Sequence, residues 1–331
     1  MHRLDIPSSL KGVRKRLQVA FAEPEEADRP PREVLRPEFL AGLKRLDLRA
    51  RAVVQGFLQG LHKSPRRGFS VEFSDYRNFV RGDDPRWIDW RVFARTDRLF
   101  VKRFEAESAL RATLVLDASA SMGYRSLQRG SFAAPVFTKL GYAVTLAAAF
   151  AYLLQHQRDR VGLLNVGGAA GDGRYLPPRS SRQHIRRVLE ELSALEAGGQ
   201  ADIASGLETF ARQERRRGLV IIFTDALTGR ARLLDALKRL RHRGHEIVLF
   251  MLWDPAELDP PVAEGVGFRD PETGVRLAPL PQAEYIARAR AHLGEVRRGC
   301  LATPADFQFL LNTSPFDRAL YKFLRLRRRK H

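Results

Sequence analysis

The sequence predicts an α/β fold with a doubly wound, mostly parallel sheet, preceded by an N-terminal helix and an extended strap. Three observations carry that expectation. From residue 111 onward short continuous apolar runs recur: "ATLVLD" (112–117), "RVGLLNVG" (160–167), "LVIIFTD" (219–225) and "EIVLFMLW" (246–253). Between them lie stretches of helical spacing near 134–157, 181–195, 203–217 and 231–243. The runs are apolar at every position rather than at every second one, which marks strands covered on both faces, and their alternation with helices predicts parallel βαβ connections.

Residues 1–35 are rich in Pro, Glu and Arg ("AEPEEADRPPRE") without periodicity and predict an extended or mobile lead-in. Residues 36–108 form a second region. Within it, Phe39, Leu43, Leu46, Val53, Val54, Phe57, Leu58 and Leu61 recur at helical spacing, an amphipathic helix over 38–62 that must pack on something. The stretch 68–107 mixes aromatics with charges around a Gly-Asp-Asp-Pro turn and ends in an alternating, strand-like piece at 99–104. Here Trp87 and Trp90, which read as buried, stand beside Asp83, Asp84 and Asp89. They predict either a strap fastening the N-terminal helix to the sheet or a second binding surface. The α/β domain itself is assigned to 109–315, closing with a hairpin at 266–280 around Pro-Glu-Thr-Gly, a helix over 282–298 and a strand near 307–311. A basic helix is expected at 316–331, and no internal repeat is found.

The chain of 331 residues, 44% of them hydrophobic, is long enough to bury a sizeable core. Its one cysteine, Cys300, excludes an intramolecular disulfide framework and fits a reducing compartment. The first 21 residues are charged throughout, and the longest apolar stretch, 143–154, is about half of a membrane span, so a cytoplasmic location is expected. Lys and Arg total 57 against 38 Asp and Glu, a net charge of +19 that points to an anionic partner: nucleic acid, lipid surface or acidic protein. Neither zinc-finger spacing nor an aromatic RNP-like strand is present, so any nucleic-acid binding is expected to ignore sequence.

In an open α/β sheet, ligands bind beyond the carboxyl ends of the strands, where strand order reverses. Two of the apolar runs end there in aspartate, Asp117 and Asp225. Asp117 is followed by Ser119 and Ser121 in a loop whose small residues, Ala118, Ala120 and Gly123, let the backbone wrap closely. Two carboxylates and two hydroxyls converging from neighbouring strands make an all-oxygen set suited to Mg²⁺ or Mn²⁺ rather than zinc. The competing reading is that these residues cap the following turn.

Asp117-Ala-Ser-Ala-Ser121 resembles the Asp-x-Ser-x-Ser loop of von Willebrand factor A domains. The preceding stretch, with Arg77, Gly82, Asp83, Asp84, Arg86, Ile88, Asp89, Trp90, Ala94 and Arg95, is similar to the signature of the domain-of-unknown-function 58 (DUF58) family. The resemblance implies a Rossmann-type, von Willebrand factor A-like fold and a metal-ion-dependent adhesion site (MIDAS) at Asp117, Ser119, Ser121 and Asp225. Within that signature, Arg77, Asp83, Asp84, Arg86, Asp89, Trp90 and Arg95 are the residues a second binding surface would use, if the segment is that rather than a structural strap. The partner it implies is a MoxR-type AAA+ ATPase in an assembly or chaperone-like system. One departure stands out: in "GGQADIASG" Ala201 replaces the threonine such sites use, which leaves Asp202 as the accessory candidate.

Catalysis is not expected. An aspartyl phosphatase places a second carboxylate two residues after its nucleophile, where this chain has Ser119. A serine hydrolase needs a histidine beside Ser119 or Ser121, whereas His242 and His245 lie in charged surroundings. A phosphate-cradling Gly-x-x-x-x-Gly-Lys loop is missing too. The expectation is a non-catalytic protein-binding adaptor. Its alternatives are a basic surface binder of nucleic acid or anionic membrane, and a metal-dependent hydrolase.

Overall fold

A computed structural model describes residues 35–62, 75–79, 90–96, 98–103, 110–126, 136–169, 173–227, 229–260, 268–278 and 280–328. The chain divides into two units, residues 58–110 and residues 1–57 with 111–331. The division falls inside the N-terminal helix and keeps the C-terminal helix with the sheet, which differs from the expected boundaries at 109 and 315.

The helix expected at 38–62 is two helices, α1 (Pro37–Ala41) and α2 (Leu46–His62). The chain breaks at Gly42, whose N–H closes a turn onto the Phe39 carbonyl. Arg45 then grips the Asp47 carboxylate with two hydrogen bonds of 3.0 and 2.9 Å, fixing the start of α2. Leu46, Ala50, Val53, Val54 and Phe57 are buried at helical spacing, while Phe39 on α1 is exposed. In the smaller unit, β1 (Asp75–Asn78) pairs antiparallel with β2 (Phe100–Arg103), and α3 (Trp90–Thr96) lies between them in sequence.

The larger unit holds β3 (Arg111–Asp117), α4 (Lys139–His156), β4 (Arg160–Val166), β5 (Tyr175–Arg179), α5 (Arg182–Ser193), α6 (Ile203–Gln213) and β6 (Leu219–Thr224). After these come α7 (Arg230–His242), β7 (Glu246–Trp253), α8 (Pro255–Leu258), the hairpin β8 (Phe268–Arg269) and β9 (Arg276–Leu277), α9 (Gln282–Ala302), β10 (Asp306–Leu311) and α10 (Phe316–Arg328). Six strands form one sheet in the order β10-β7-β6-β3-β4-β5. All neighbouring pairs are parallel except β4–β5. Counted along the chain, that order is 3-2-1-4-5-6, the doubly wound arrangement whose strand order reverses between the first and fourth strands. Those two strands are β3 and β6.

The edge strand β5 carries Pro177 and Pro178, which lack the N–H of a ladder and hide the strand from a reading based on apolar runs. Its neighbour β4 accommodates them with Gly162, where a Cβ would stand 2.7 Å from the Leu176 carbonyl oxygen. On one face, α4 is buried nearly all round. Tyr142 stacks on Phe316 at 4.4 Å and Phe150 meets Phe323 edge-on, so the C-terminal helix belongs to this core. The N-terminal α2 covers α4 from outside: Arg51 Nε donates to the Tyr152 hydroxyl at 2.8 Å, and the Arg49 guanidinium lies over the Phe137 ring. Cys300 is buried and unbridged. None of the described helices is long and apolar enough to cross a membrane.

Candidate functional site

The reversal point brings the two expected strand ends side by side. Asp117 ends β3 and Asp225 follows β6, both almost fully buried. The loop after Asp117 folds back on it: the Ser119 N–H donates to Asp117 Oδ1 at 3.0 Å. From the adjacent strand the Thr224 hydroxyl donates to Asp117 Oδ2 at 2.6 Å. Ser119 Oγ and Ser121 Oγ lie 3.1 Å apart, and the Ser121 hydroxyl donates to Glu272 Oε1 at 3.0 Å. The backbone crosses closely here, with Gly198 N–H bonded to the Ala118 carbonyl and Ala120 N–H to the Gly199 carbonyl. Ala201 consequently sits against the loop that follows β4. Gly167 there has φ +73, and a Cβ on it would stand 2.5 Å from that of Ala201.

Asp225 is engaged differently. Its Oδ2 accepts from Lys139 Nζ at 2.7 Å, its Oδ1 from the Leu227 N–H, and its carbonyl from Trp253 Nε1. Lys139, the first residue of α4, has a side chain 0% exposed and also donates to Glu257 Oε1 at 2.5 Å. Glu257 is fixed in turn, because its other oxygen caps α8 through the Asp254 N–H. A buried lysine survives only when carboxylates satisfy it. Burial works against its charge, yet Asp225 and Glu257 hold Lys139 above the ordinary lysine range. Burial and the Asp225 charge lift Glu257 to about 7, against the pull of Lys139.

The cluster is not neutral. Among the described residues four carboxylates, Asp117, Asp225, Glu257 and Glu272, face one ammonium, Lys139, which hydrogen-bonds Asp225 and Glu257. Among the described residues Asp117 has no cationic partner; its donors are the hydroxyls of Thr224 and Ser119 and the Ser119 amide. Burial first, and the Asp225 charge second, push its carboxyl up to about 6. Burial also raises Glu272.

This donor set can be compared with what a divalent ion requires. Among the described residues no three His, Cys, Asp or Glu side chains group closely enough to hold a metal alone, so hydroxyls must take part. Adjacent corners of a Mg²⁺ octahedron with bonds of about 2.0–2.1 Å lie about 3 Å apart. The Ser119–Ser121 and Ser121–Glu272 oxygen spacings of 3.1 and 3.0 Å match that edge and also serve as hydrogen bonds. A buried carboxylate facing only neutral donors, two hydroxyls beside it and a second carboxylate at their rim therefore fit a hard divalent cation. Its holders would be Asp117, Ser119 and Ser121, with Asp225 held back by Lys139.

Other expected residues lie elsewhere. Asp202 caps α6 by accepting from the Ser205 N–H and pairs with Arg232, so it is drawn away from the cluster. Trp90, expected to be buried, is 60% exposed on α3 and meets Phe93 edge-on. Arg95 is exposed in the last turn of that helix, and Arg77 takes its place in β1 opposite Val101. Asp83, Asp84, Arg86, Trp87 and Asp89 lie outside the described residues. No histidine is hydrogen-bonded to Ser119 or Ser121 among the described residues. Instead, His292 Nε2 bonds the carbonyl of Ala226, whose φ of 52 lies in the left-handed region just after Asp225. Reading for strand ends missed four members of the site. Thr224 directly precedes Asp225, Lys139 opens an apolar helix, Glu257 lies inside a capping box, and Glu272 occupies a turn that had marked only a hairpin.

A doubly wound α/β domain with a carboxylate–hydroxyl cluster at its switch point defines the class of protein. The family described as "Protein of unknown function DUF58" matches residues 75–292, and the chain belongs to it. It is 30% identical over 300 residues to "Uncharacterized protein Rv1480" of Mycobacterium tuberculosis, covering 88% of this chain and 91% of that one. "Uncharacterized protein MAV169" of Mycobacterium avium is 27% identical over 161 residues, 46% of this chain and 94% of that one. Solved structures similar to it include the conserved hypothetical protein BatB from Bacteroides thetaiotaomicron (17% identity, TM-score 0.42, 64% of this chain and 95% of that one). Another is the SpRpn10 VWA domain (11% identity, TM-score 0.36, 65% and 95%).

Proposed function

We propose that this protein is a non-catalytic adaptor that grips an acidic side chain of a protein partner through a divalent cation held by Asp117, Ser119 and Ser121. The observation that carries the reading is the buried, uncompensated carboxylate of Asp117 at the switch point, with two hydroxyls beside it. A cation held by few protein oxygens keeps positions open for an outside carboxylate. Asp225 contributes through its charge and the Lys139 anchor rather than as a direct holder. Tyr124 and Leu227, exposed by 42% and 41% close in sequence to the cluster, offer apolar contacts for the residues flanking that carboxylate. The net charge of +19 favours an acidic partner and speeds encounter. Family resemblance makes a MoxR-type AAA+ ATPase the partner to try first. Among the described residues no histidine is hydrogen-bonded to Ser119 or Ser121, and their hydroxyls bond to each other and to the Glu272 carboxylate, so the reading as a holder of a cation is preferred to a histidine-activated serine nucleophile.

The test is binding of the purified protein to an acidic MoxR-type ATPase with Mg²⁺ and with EDTA. Association that needs Mg²⁺ and is lost in Asp117→Ala supports the reading. Association untouched by both EDTA and that substitution removes it, and ATP or phosphate-ester hydrolysis abolished by Asp117→Ala would replace it with an enzyme.

A further inference from the structure

The hairpin β8–β9 brings Glu272 to Ser121 across 151 residues of sequence. Among the described residues two pairs join its strands, Phe268 with Leu277 and Arg269 with Arg276, a short ladder. Its tip is nonetheless shaped in detail. Asp270 accepts from the Glu272 N–H at 2.8 Å and from the Thr273 hydroxyl at 2.7 Å, and the Gly274 N–H closes the turn onto the Asp270 carbonyl at 2.8 Å. Gly274 supplies the positive φ of 72 that the reversal needs. With Asp270 bound up inside the turn, Glu272 is the carboxylate the tip delivers outward, and it reaches the hydroxyl at the rim of the cluster. A carboxylate is a poor choice for a simple tether at that place. The Asp225 and Asp270 charges already act against another anion there, and an uncharged amide could accept the serine hydroxyl without adding to that charge.

We propose that Glu272 is the chain's own occupant of the position a partner's acidic side chain takes, so that the hairpin closes the site and must be displaced for a partner to bind. This inference rests on the adhesion-type reading above. Glu272 stands 3.0 Å from the hydroxyl that would share the cation, as a neighbouring holder would. A tethered carboxylate competes at an effective concentration on the order of millimolar, so an outside acid has to displace it. The hairpin thus sets a threshold: isolated carboxylates are refused, and a partner that also engages the hairpin is admitted.

The experiment loads the full chain with Mn²⁺ and measures water-proton relaxation, which counts exchangeable waters on the ion, with and without acetate as the probe carboxylate. Glu272→Gln is the decisive variant because its amide oxygen still accepts from Ser121 and keeps the hairpin in place. Hydrogen exchange over 268–277 checks that it does. Glu272→Gln is expected to gain about one exchangeable water, to bind Mn²⁺ on the order of tenfold more weakly, and to recover when acetate is added. The unsubstituted protein is expected to ignore acetate. Equal water counts and equal acetate responses in the two proteins overturn the inference while leaving the metal reading intact. If the unsubstituted protein binds no Mn²⁺, the metal reading falls and the inference falls with it, a result told apart by the missing relaxation signal.

Discussion

Arg111 and Asp117 stand at opposite ends of the same strand, and the two ends are built on opposite electrostatic principles. At the amino end Arg111 Nη2 meets Glu214 Oε2 at 3.0 Å, the Tyr175 hydroxyl donates to the same oxygen at 3.0 Å, and the Arg216 N–H serves the other. Burial there works against the ionised acid, but these donors outweigh it and hold Glu214 below the usual carboxylate range. At the carboxyl end burial wins, and Asp117 rises to about 6. At one end the acid is answered by an arginine of its own chain. At the other, among the described residues, Asp117 is met by neutral donors alone, the contrast expected between a structural ion pair and the binding site proposed above.

The largest expected effect comes from removing the buried Lys139 ammonium. Lys139→Met leaves Asp225 and Glu257 buried without a counter-charge, and breaking a buried pair in this way costs about 3–5 kcal/mol. Denaturant unfolding measures it. A cost under about 1 kcal/mol, the range of surface pairs, would mean that water reaches the cluster and that the contrast between the two ends is overstated.

Asp117→Asn comes next. Calorimetric titration is expected to show Mn²⁺ affinity reduced on the order of 100-fold or more, since the substitution removes a charged holder and losing even a supporting group costs about 10–100-fold. Stability in the absence of metal moves the other way. The folded carboxyl, near 6, lies above its ordinary 3.8, so between those values the folded protein binds more protons than the unfolded chain. Stability contributed by this group is therefore full below about pH 4 and is lost as pH rises through about 6; Asp117→Asn flattens that slope. Glu214→Gln is expected to remove a contribution of the opposite sign, present above pH 4.5 and lost as pH falls. Identical pH profiles for the two variants would erase the distinction between the ends. Mn²⁺ affinity in the unsubstituted protein is expected to fall below about pH 6, where protons compete for Asp117.

Much of the larger unit was legible because its strands are buried on both faces and so write themselves as continuous apolar runs. Asp117, Ser119 and Ser121 were legible for a related reason, since polar groups that interrupt such a run at a strand end stand out. The prolines of β5 concealed a strand because the edge tolerates what the centre forbids. Lys139 was concealed by its context. It opens a helix that is otherwise apolar, and only the fold shows that its ammonium turns inward to Asp225 rather than outward to water. Glu272 was concealed by distance, because a contact spanning 151 residues leaves no local spacing to read.

Ala201→Thr has a smaller expected effect. Ala201 packs against Gly167 beside the Ala118 backbone, where it offers the cluster no oxygen. Adding a hydroxyl there is expected to tighten Mn²⁺ binding by about tenfold, within the usual range for a supporting group. Unchanged affinity in Ala201→Thr, together with the loss in Asp117→Asn, would place the cation toward Glu272 and away from the 198–201 loop.

The smallest effect on Mn²⁺ binding is expected at the Arg111 end. Tyr175→Phe removes one of the donors to Glu214 Oε2 while Arg111 keeps its ion pair with the same oxygen. The acid therefore stays partnered and the ring stays in place, edge-on to Phe210 at 5.6 Å. What is lost is one hydrogen bond to a charged acceptor, worth about 1.5–3 kcal/mol in unfolding measurements. Because the charge at this end is already balanced, Mn²⁺ affinity and its pH dependence are expected to be unchanged. A shift in either would show that the two ends of β3 are coupled through the strand, and the separation between a structural end and a binding end would have to be given up.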